Sequence, residues 1–163
     1  MEGRTCCFTG HRSLYHDRDV IAKVLREAVD ELVRVGYQHF ISGGAAGFDL
    51  LAAEAVLERK KEFGDVSLYL YVPYSTVFGL RSYVSSRLRT VALKSREIKV
   101  TSDTPSRYAP LIRDRQMVEA SDICVSYMEP GTEKGGTFYT VQQAKKKGID
   151  VIDLYDRIDR EAD

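Results

Sequence analysis

The chain has no CxxC pair, no excess of either charge, no apolar run longer than a strand and no internal repeat. Each absence excludes something. Lys and Arg together number 24, as do Asp and Glu, so no overall field draws the protein to nucleic acid or to a membrane surface. The expected partner list therefore omits nucleic acid. Without about 20 consecutive apolar residues no helix spans a bilayer. The opening "MEGRTCCFTG" has too short an apolar run for a signal peptide, so a cytoplasmic protein is expected. The three cysteines are Cys6, Cys7 and Cys124. Neighbours in a strand point to opposite faces, so Cys6 and Cys7 cannot easily grip one metal. Buried, reduced thiols are the expectation.

What is present is enough for one domain. The 163 residues are 44% hydrophobic. A chain of this size buries roughly 70% of its unfolded surface, so it needs neither staples nor a metal.

Strand and helix patterns alternate along the chain. Arg4–Thr9 reads as a strand. From Asp17 to Val35, the residues Ile21, Val24, Leu25, Ala28 and Leu32 form one helical stripe, stopped by Gly36. Gln38–Ser42 is a second strand and Phe48–Lys61 a second helix. Val66–Val72 is a third strand, ended by Pro73. Val77, Leu80, Val84, Leu88 and Val91 mark a third helix, and Glu97–Thr101 a fourth strand. Leu111–Ala120 is a short helix, Asp122–Tyr127 a strand, Gly136–Lys147 a helix and Ile149–Leu154 a sixth strand. Residues 155–163 read as a polar, frayed tail after a domain covering residues 1–154. Such alternation predicts an α/β fold: one Rossmann-like three-layer α/β/α domain with a mostly parallel sheet of about six strands.

In open α/β sheets, ligands bind beyond the carboxyl ends of the strands. Five loops leave that edge. "GGAAGFD" places Gly43, Gly44 and Gly47 between a strand and a helix. Glycine leaves no Cβ in a ligand's way, and free N–H groups at a helix start attract anions. The spacing is GGxxG, neither a dinucleotide fingerprint nor a P-loop. Asp49 would repel a phosphate. It suits ribose hydroxyls, or only the positive end of a helix. Gly135, Gly136 and Thr137 repeat the device, and Thr137 serves as a cap or a phosphate ligand.

"TGHRS" adds Thr9, Gly10, His11 and Arg12. Arg12 can pair with a phosphate. His11 titrates near neutrality, although a loop histidine is more often bonded to backbone. Pro73 and Tyr74 belong to the third loop, "PYS", on the same edge. Arg113 either reaches the ligand or joins Asp114 in a surface ion pair. Arg81, Arg87, Arg89, Lys94, Arg96 and Lys99 form a basic stretch that reads as a solvated face. No Ser-His-Asp or Cys-His arrangement and no metal-ligand spacing occurs.

Taken in order, "FTGHR", "ISGGAAGFDLLAAEAVL", "VPY", "RDRQMVEASD" and "GGTFYTVQQAKKKG" resemble the YpsA-like branch of the SLOG superfamily. That superfamily also holds the LOG-type nucleotide phosphoribohydrolases and the Rossmann-like domain of the DNA-processing protein DprA. The resemblance runs from Cys6 to about Leu154. It implies a nucleotide-derived ligand, NAD- or ADP-ribose-like, with Gly43, Gly44 and Asp49 in contact and Gly135, Gly136 and Thr137 on its phosphate. It implies a sensor or processor of such molecules that requires no cofactor. Related Rossmann-like proteins often form homodimers, so a homodimer is expected. One departure matters. The hydrolases carry a catalytic glutamate in a PGGxGTxxE pattern, and Thr140 stands here in its place. A threonine supplies no carboxylate. The reading therefore favours ligand binding, with N-glycosidic hydrolysis as the alternative if another acid such as Asp49 or Glu133 substitutes. Single-stranded nucleic-acid binding is the further alternative.

Overall fold

The computed structural model describes residues 3–78 and 85–163, apart from the side chains of Thr76 and Phe78. Six strands and six helices alternate among them: β1 (Arg4–Gly10), α1 (Arg18–Arg34), β2 (Tyr37–Ser42), α2 (Phe48–Phe63), β3 (Ser67–Tyr74), α3 (Ser86–Lys94), β4 (Glu97–Ser102), α4 (Ala109–Glu119), β5 (Ile123–Tyr127), α5 (Gly136–Lys147), β6 (Asp150–Asp153) and α6 (Tyr155–Ala162). The sheet order is β4-β3-β2-β1-β5-β6, and every pairing is parallel. The Rossmann-like α/β architecture expected from the alternation is the one found.

The order reverses between β1 and β5. Chain progression runs outward from β1 through β4, then crosses back to β5 on the other side. Loops after β1 and β5 consequently diverge at their carboxyl ends and leave a crevice, which is where open α/β sheets take ligands.

Two apolar layers hold the sheet. On one face α1, α2, α3 and α6 pack on Cys6, Phe8, Phe40, Leu68, Leu70 and Val125. On the other, Met117 and Val118 of α4 and Ala144 of α5 cover Cys7, Ile41, Tyr69, Tyr71 and Cys124. Cys6 and Cys7 thus separate to opposite faces, as strand geometry requires. All three thiols are free and buried. No helix among the described residues is long and apolar enough to cross a membrane.

Three boundaries differ from the sequence reading. β3 does not stop at Pro73. It continues to Tyr74, which pairs with Ser102, while its pairing with β2 ends at Leu70. Pro73 therefore lies past the last β2 partner, where its missing N–H costs no ladder bond. The third helix begins only at Ser86, with the Ser85 hydroxyl accepting from the Leu88 N–H at 3.2 Å. Val77 sits in a separate 3-10 turn, Ser75–Phe78. Leu80, Arg81 and Val84 lie outside the described residues.

The third difference is the C-terminus. Residues 155–162 form α6, where a frayed tail was expected. Ile158 is fully buried in the α1–α2 core. Around it His16 Nε2 meets Asp159 at 2.8 Å, Arg157 meets Glu31 at 3.0 Å and Lys23 meets Glu161 at 3.1 Å. One deeply buried isoleucine among ion pairs to α1 and the turn before it is too small a periodic signal to see in the sequence.

Candidate functional site

Thr9, Gly10, His11 and Arg12 leave β1 and meet Gly135, Gly136 and Thr137 from the start of α5 across one cavity of about 570 Å³. Ala45, Asp49, Arg113 and Asp114 complete its inner wall, with Arg107 and Lys134 among the residues nearer the rim. A neighbouring cavity of about 490 Å³ is lined by Gly43, Gly44, Pro73 and Tyr74 among others, and it shares Arg12, Ala45, Pro110 and Arg113 with the first. Of the residues expected to contact a ligand, all but Gly47 line one of these two spaces. Both fall in the volume range of small-molecule sites.

The glycines of the β2–α2 loop are there for a reason the sequence reading did not give. A Cβ on Gly43 would stand 2.8 Å from the Arg113 guanidinium. One on Gly44, whose φ is +68°, would meet Leu70 and Leu88 at 2.9 Å. One on Gly47, at φ +86°, would stand 2.3 Å from the Arg12 carbonyl oxygen. These three bare positions make room for the protein itself. The first helical amide of α2 is also engaged, because the Phe48 N–H donates to the His11 carbonyl at 3.2 Å. The loop is pinned further by Ser42, whose hydroxyl donates to the Asp49 carbonyl at 2.8 Å and accepts from the Gly44 N–H at 3.0 Å. The β2–α2 glycines are thus held by contacts within the protein as well as lining the second cavity.

The start of α5 is less crowded. Gly135 takes φ +97°, and space around it is open. No side chain caps the helix. Gly135, Gly136 and Thr137 line the cavity, and a helix start without a side-chain cap favours an anion. Thr137 lines the cavity but caps nothing.

Asp49 is the central polar group. It is 7% exposed, and its Oδ1 has no hydrogen-bond partner among the described residues. Burial pushes its carboxyl up to about 7, against the opposing pull of Arg113, with Asp114 adding to the rise and the Gly10 N–H and Arg12 lowering it. A buried carboxylate oxygen without a partner is costly unless something supplies a donor.

Arg113 is buried, at 6% exposure, which rules out the alternative of a surface ion pair. Its Nε donates to Asp114 at 2.7 Å and its Nη1 to the Gly43 carbonyl at 2.9 Å. Burial raises the Asp114 carboxyl as well, with Arg113 and the Thr140 hydroxyl pulling it back down. Thr140 is fully buried and donates to the Gly136 carbonyl at 2.8 Å. Thr140 therefore ties back into the first turn of α5.

His11 Nε2 accepts from the Glu129 N–H at 2.9 Å, and burial lowers the ring's pKa. It is the backbone-bonded histidine rather than a free acid or base. His16 carried no signal in the sequence. In the fold it bonds the Tyr127 hydroxyl at 2.8 Å, and that hydroxyl also accepts from the Tyr15 N–H at 3.0 Å. These bonds brace the first loop from beneath. Among the described residues no group of three or more His, Cys, Asp or Glu side chains could hold a metal ion.

The family model described as YspA SLOG family, named YpsA, matches residues 6–156. The chain belongs to this family. Curated relatives of this YpsA-type chain include a UPF0398 protein of Bacillus thuringiensis (strain Al Hakam) and one of Bacillus cereus (strain AH187). Each is 27% identical over 138 residues, covering 80% of this chain and 72% of the relative. Among solved structures, DNA processing protein A from Helicobacter pylori superposes with a TM-score of 0.66 at 18% identity. That match covers 92% of this chain and 64% of the Helicobacter chain, less than two thirds of its length. Its structure is described for a single-stranded DNA binding mode. At that identity the likeness speaks for the fold.

Proposed function

We propose that the protein binds a phosphate-bearing ribonucleotide or a derivative of the NAD or ADP-ribose kind, as a sensor or regulatory domain. One observation carries the reading. A buried carboxylate oxygen with no partner among the described residues, on Asp49, lines the same cavity as a helix start at Gly135–Thr137 that has no side-chain cap. The first wants a hydroxyl donor and the second wants an anion. A ribose phosphate offers both on one molecule. Arg12 and Arg113 add positive charge on the shared wall, and Arg12 makes no ion pair with a described residue. The test is calorimetric titration of ADP into the wild type and into Gly135→Val. Binding by the wild type and its loss in the variant support the reading. No heat from ADP, NAD or ADP-ribose with wild type overturns it.

A second reading is hydrolysis of the N-glycosidic bond of such a ligand. It is favoured by the pair of buried carboxyls, Asp49 and Asp114, both raised by burial. A carboxylate of that kind accepts the proton of a water whose oxygen attacks the sugar C1′, and the C1′–N bond breaks as the base departs. Chromatography for free base after incubation with nucleotides decides it.

Nucleic acid, set aside on charge balance, returns as a third reading through the likeness to DNA processing protein A. Tyr108 is 55% exposed with the Arg107 guanidinium over its ring at 4.8 Å, and Arg107 lines the cavity. An exposed ring so placed suits base stacking. Salt-dependent capture of single-stranded DNA, lost in Tyr108→Ala, is the result this reading requires.

A further inference from the structure

The second cavity has a different chemistry from the first. Apart from the shared Arg12 and Arg113, its described lining holds no charged side chain. Leu50, Val72, Val77 and Leu88 give it apolar walls, and Pro73 and Tyr74 close one end. The walls are built in. Gly44 exists as glycine so that Leu70 and Leu88 can close upon the loop. Arg113 is fixed at the junction by its bonds to Asp114 and Gly43, and Nη2 is the guanidinium nitrogen left without a bond to a described residue. Asp49, with its unpartnered Oδ1, lies on the first-cavity side of that junction.

We infer that the second cavity is a nucleobase pocket, and that the ligand is a nucleoside 5′-phosphate rather than a bare sugar phosphate. The base lies between the apolar wall and Tyr74. The ribose crosses the junction, with a hydroxyl donating to Asp49. The phosphate reaches the start of α5. This assignment rests on the proposed ribonucleotide site and extends it. A pocket whose walls are apolar apart from the two arginines at the junction accepts a flat, neutral ring against those walls. The first cavity has the reverse character, with cations, carboxylates and free amides. A ligand that used only the first would leave the hydrophobic contribution of the second unused.

Titration of ribose 5-phosphate and AMP tests it, each into wild type, Ala46→Phe and Tyr74→Ala. Ala46 is exposed on the loop and lines only the second cavity, so a phenyl group there fills that cavity without disturbing the core. The expected result is AMP binding at least ten-fold tighter than ribose 5-phosphate in wild type. In both variants that preference falls to about two-fold or less, while ribose 5-phosphate affinity stays unchanged. Equal affinity of the two probes in wild type, or equal weakening of both in Ala46→Phe, overturns the base pocket and leaves the ribose-phosphate site standing. Binding of neither probe by wild type overturns the underlying site and this inference with it. Tyr74→Ala carries the same comparison should Ala46→Phe melt early.

Discussion

Arg113 donates from Nη1 to the carbonyl oxygen of Gly43 at 2.9 Å, across 70 positions of sequence. That bond ties α4 to the glycine loop after β2 and sets a guanidinium at the junction of the two cavities. The same guanidinium occupies the space a side chain at position 43 would need. Loop and arginine define each other.

Replacing Arg113 by Met is therefore expected to cost about 3–5 kcal/mol, because Asp114 keeps its burial and loses its partner. Chemical denaturation measures it. Adding Asp114→Leu to the same protein should recover much of the loss, since two apolar groups need no partner.

The two glycine loops predict opposite outcomes. Gly44→Val meets Leu70 and Leu88 at a φ of +68° and should lower the melting temperature severely. Gly135→Ala has open space and meets only the positive-φ penalty, about 1–2 kcal/mol. Thermal melts should separate the two, with Gly135→Ala folded and impaired in ligand binding.

Asp49 gives stability a pH dependence. Its carboxyl sits near 7 in the fold and about 3.9 in an unfolded chain. The folded state therefore holds the proton more tightly. This group's contribution is present at low pH and is lost as pH rises from about 4 through about 7. Asp49→Asn should flatten that slope and raise stability at pH 8 by on the order of 1–3 kcal/mol, a few degrees in melting temperature. Melts at pH 5 and pH 8 check it. The same variant should weaken ribonucleotide binding at pH 8, where the charged acceptor is lost.

How much of this was legible in the sequence follows from the range of the forces involved. The alternation of strand and helix is a local pattern, and it predicted the sheet and the edge on which Thr9–Arg12 and Gly135–Thr137 meet. Why Gly43, Gly44 and Gly47 are glycine depends on Arg113, Leu70, Leu88 and the Arg12 carbonyl, all distant in sequence. No local reading reaches those contacts. Arg113 sits in a polar stretch, "RDRQ", that gives no sign of burial. α6 was missed for a related reason. Its helix turns one residue, Ile158, fully into the core and presents charges elsewhere.

Ile158→Ala tests whether that helix belongs to the domain. Removing a fully buried isoleucine side chain should cost about 2–4 kcal/mol in denaturant unfolding. A change within about 0.5 kcal/mol would mean that α6 frays in solution.

The start of α5 is the anchor of the whole account, and amide-resolved NMR titration with AMP addresses it most directly. The expected result is that the largest shifts fall on the amides of Gly136, Thr137 and Phe138, while Phe48, already bonded to His11, moves little. Largest shifts at the start of α2, or none at either helix, would contradict it.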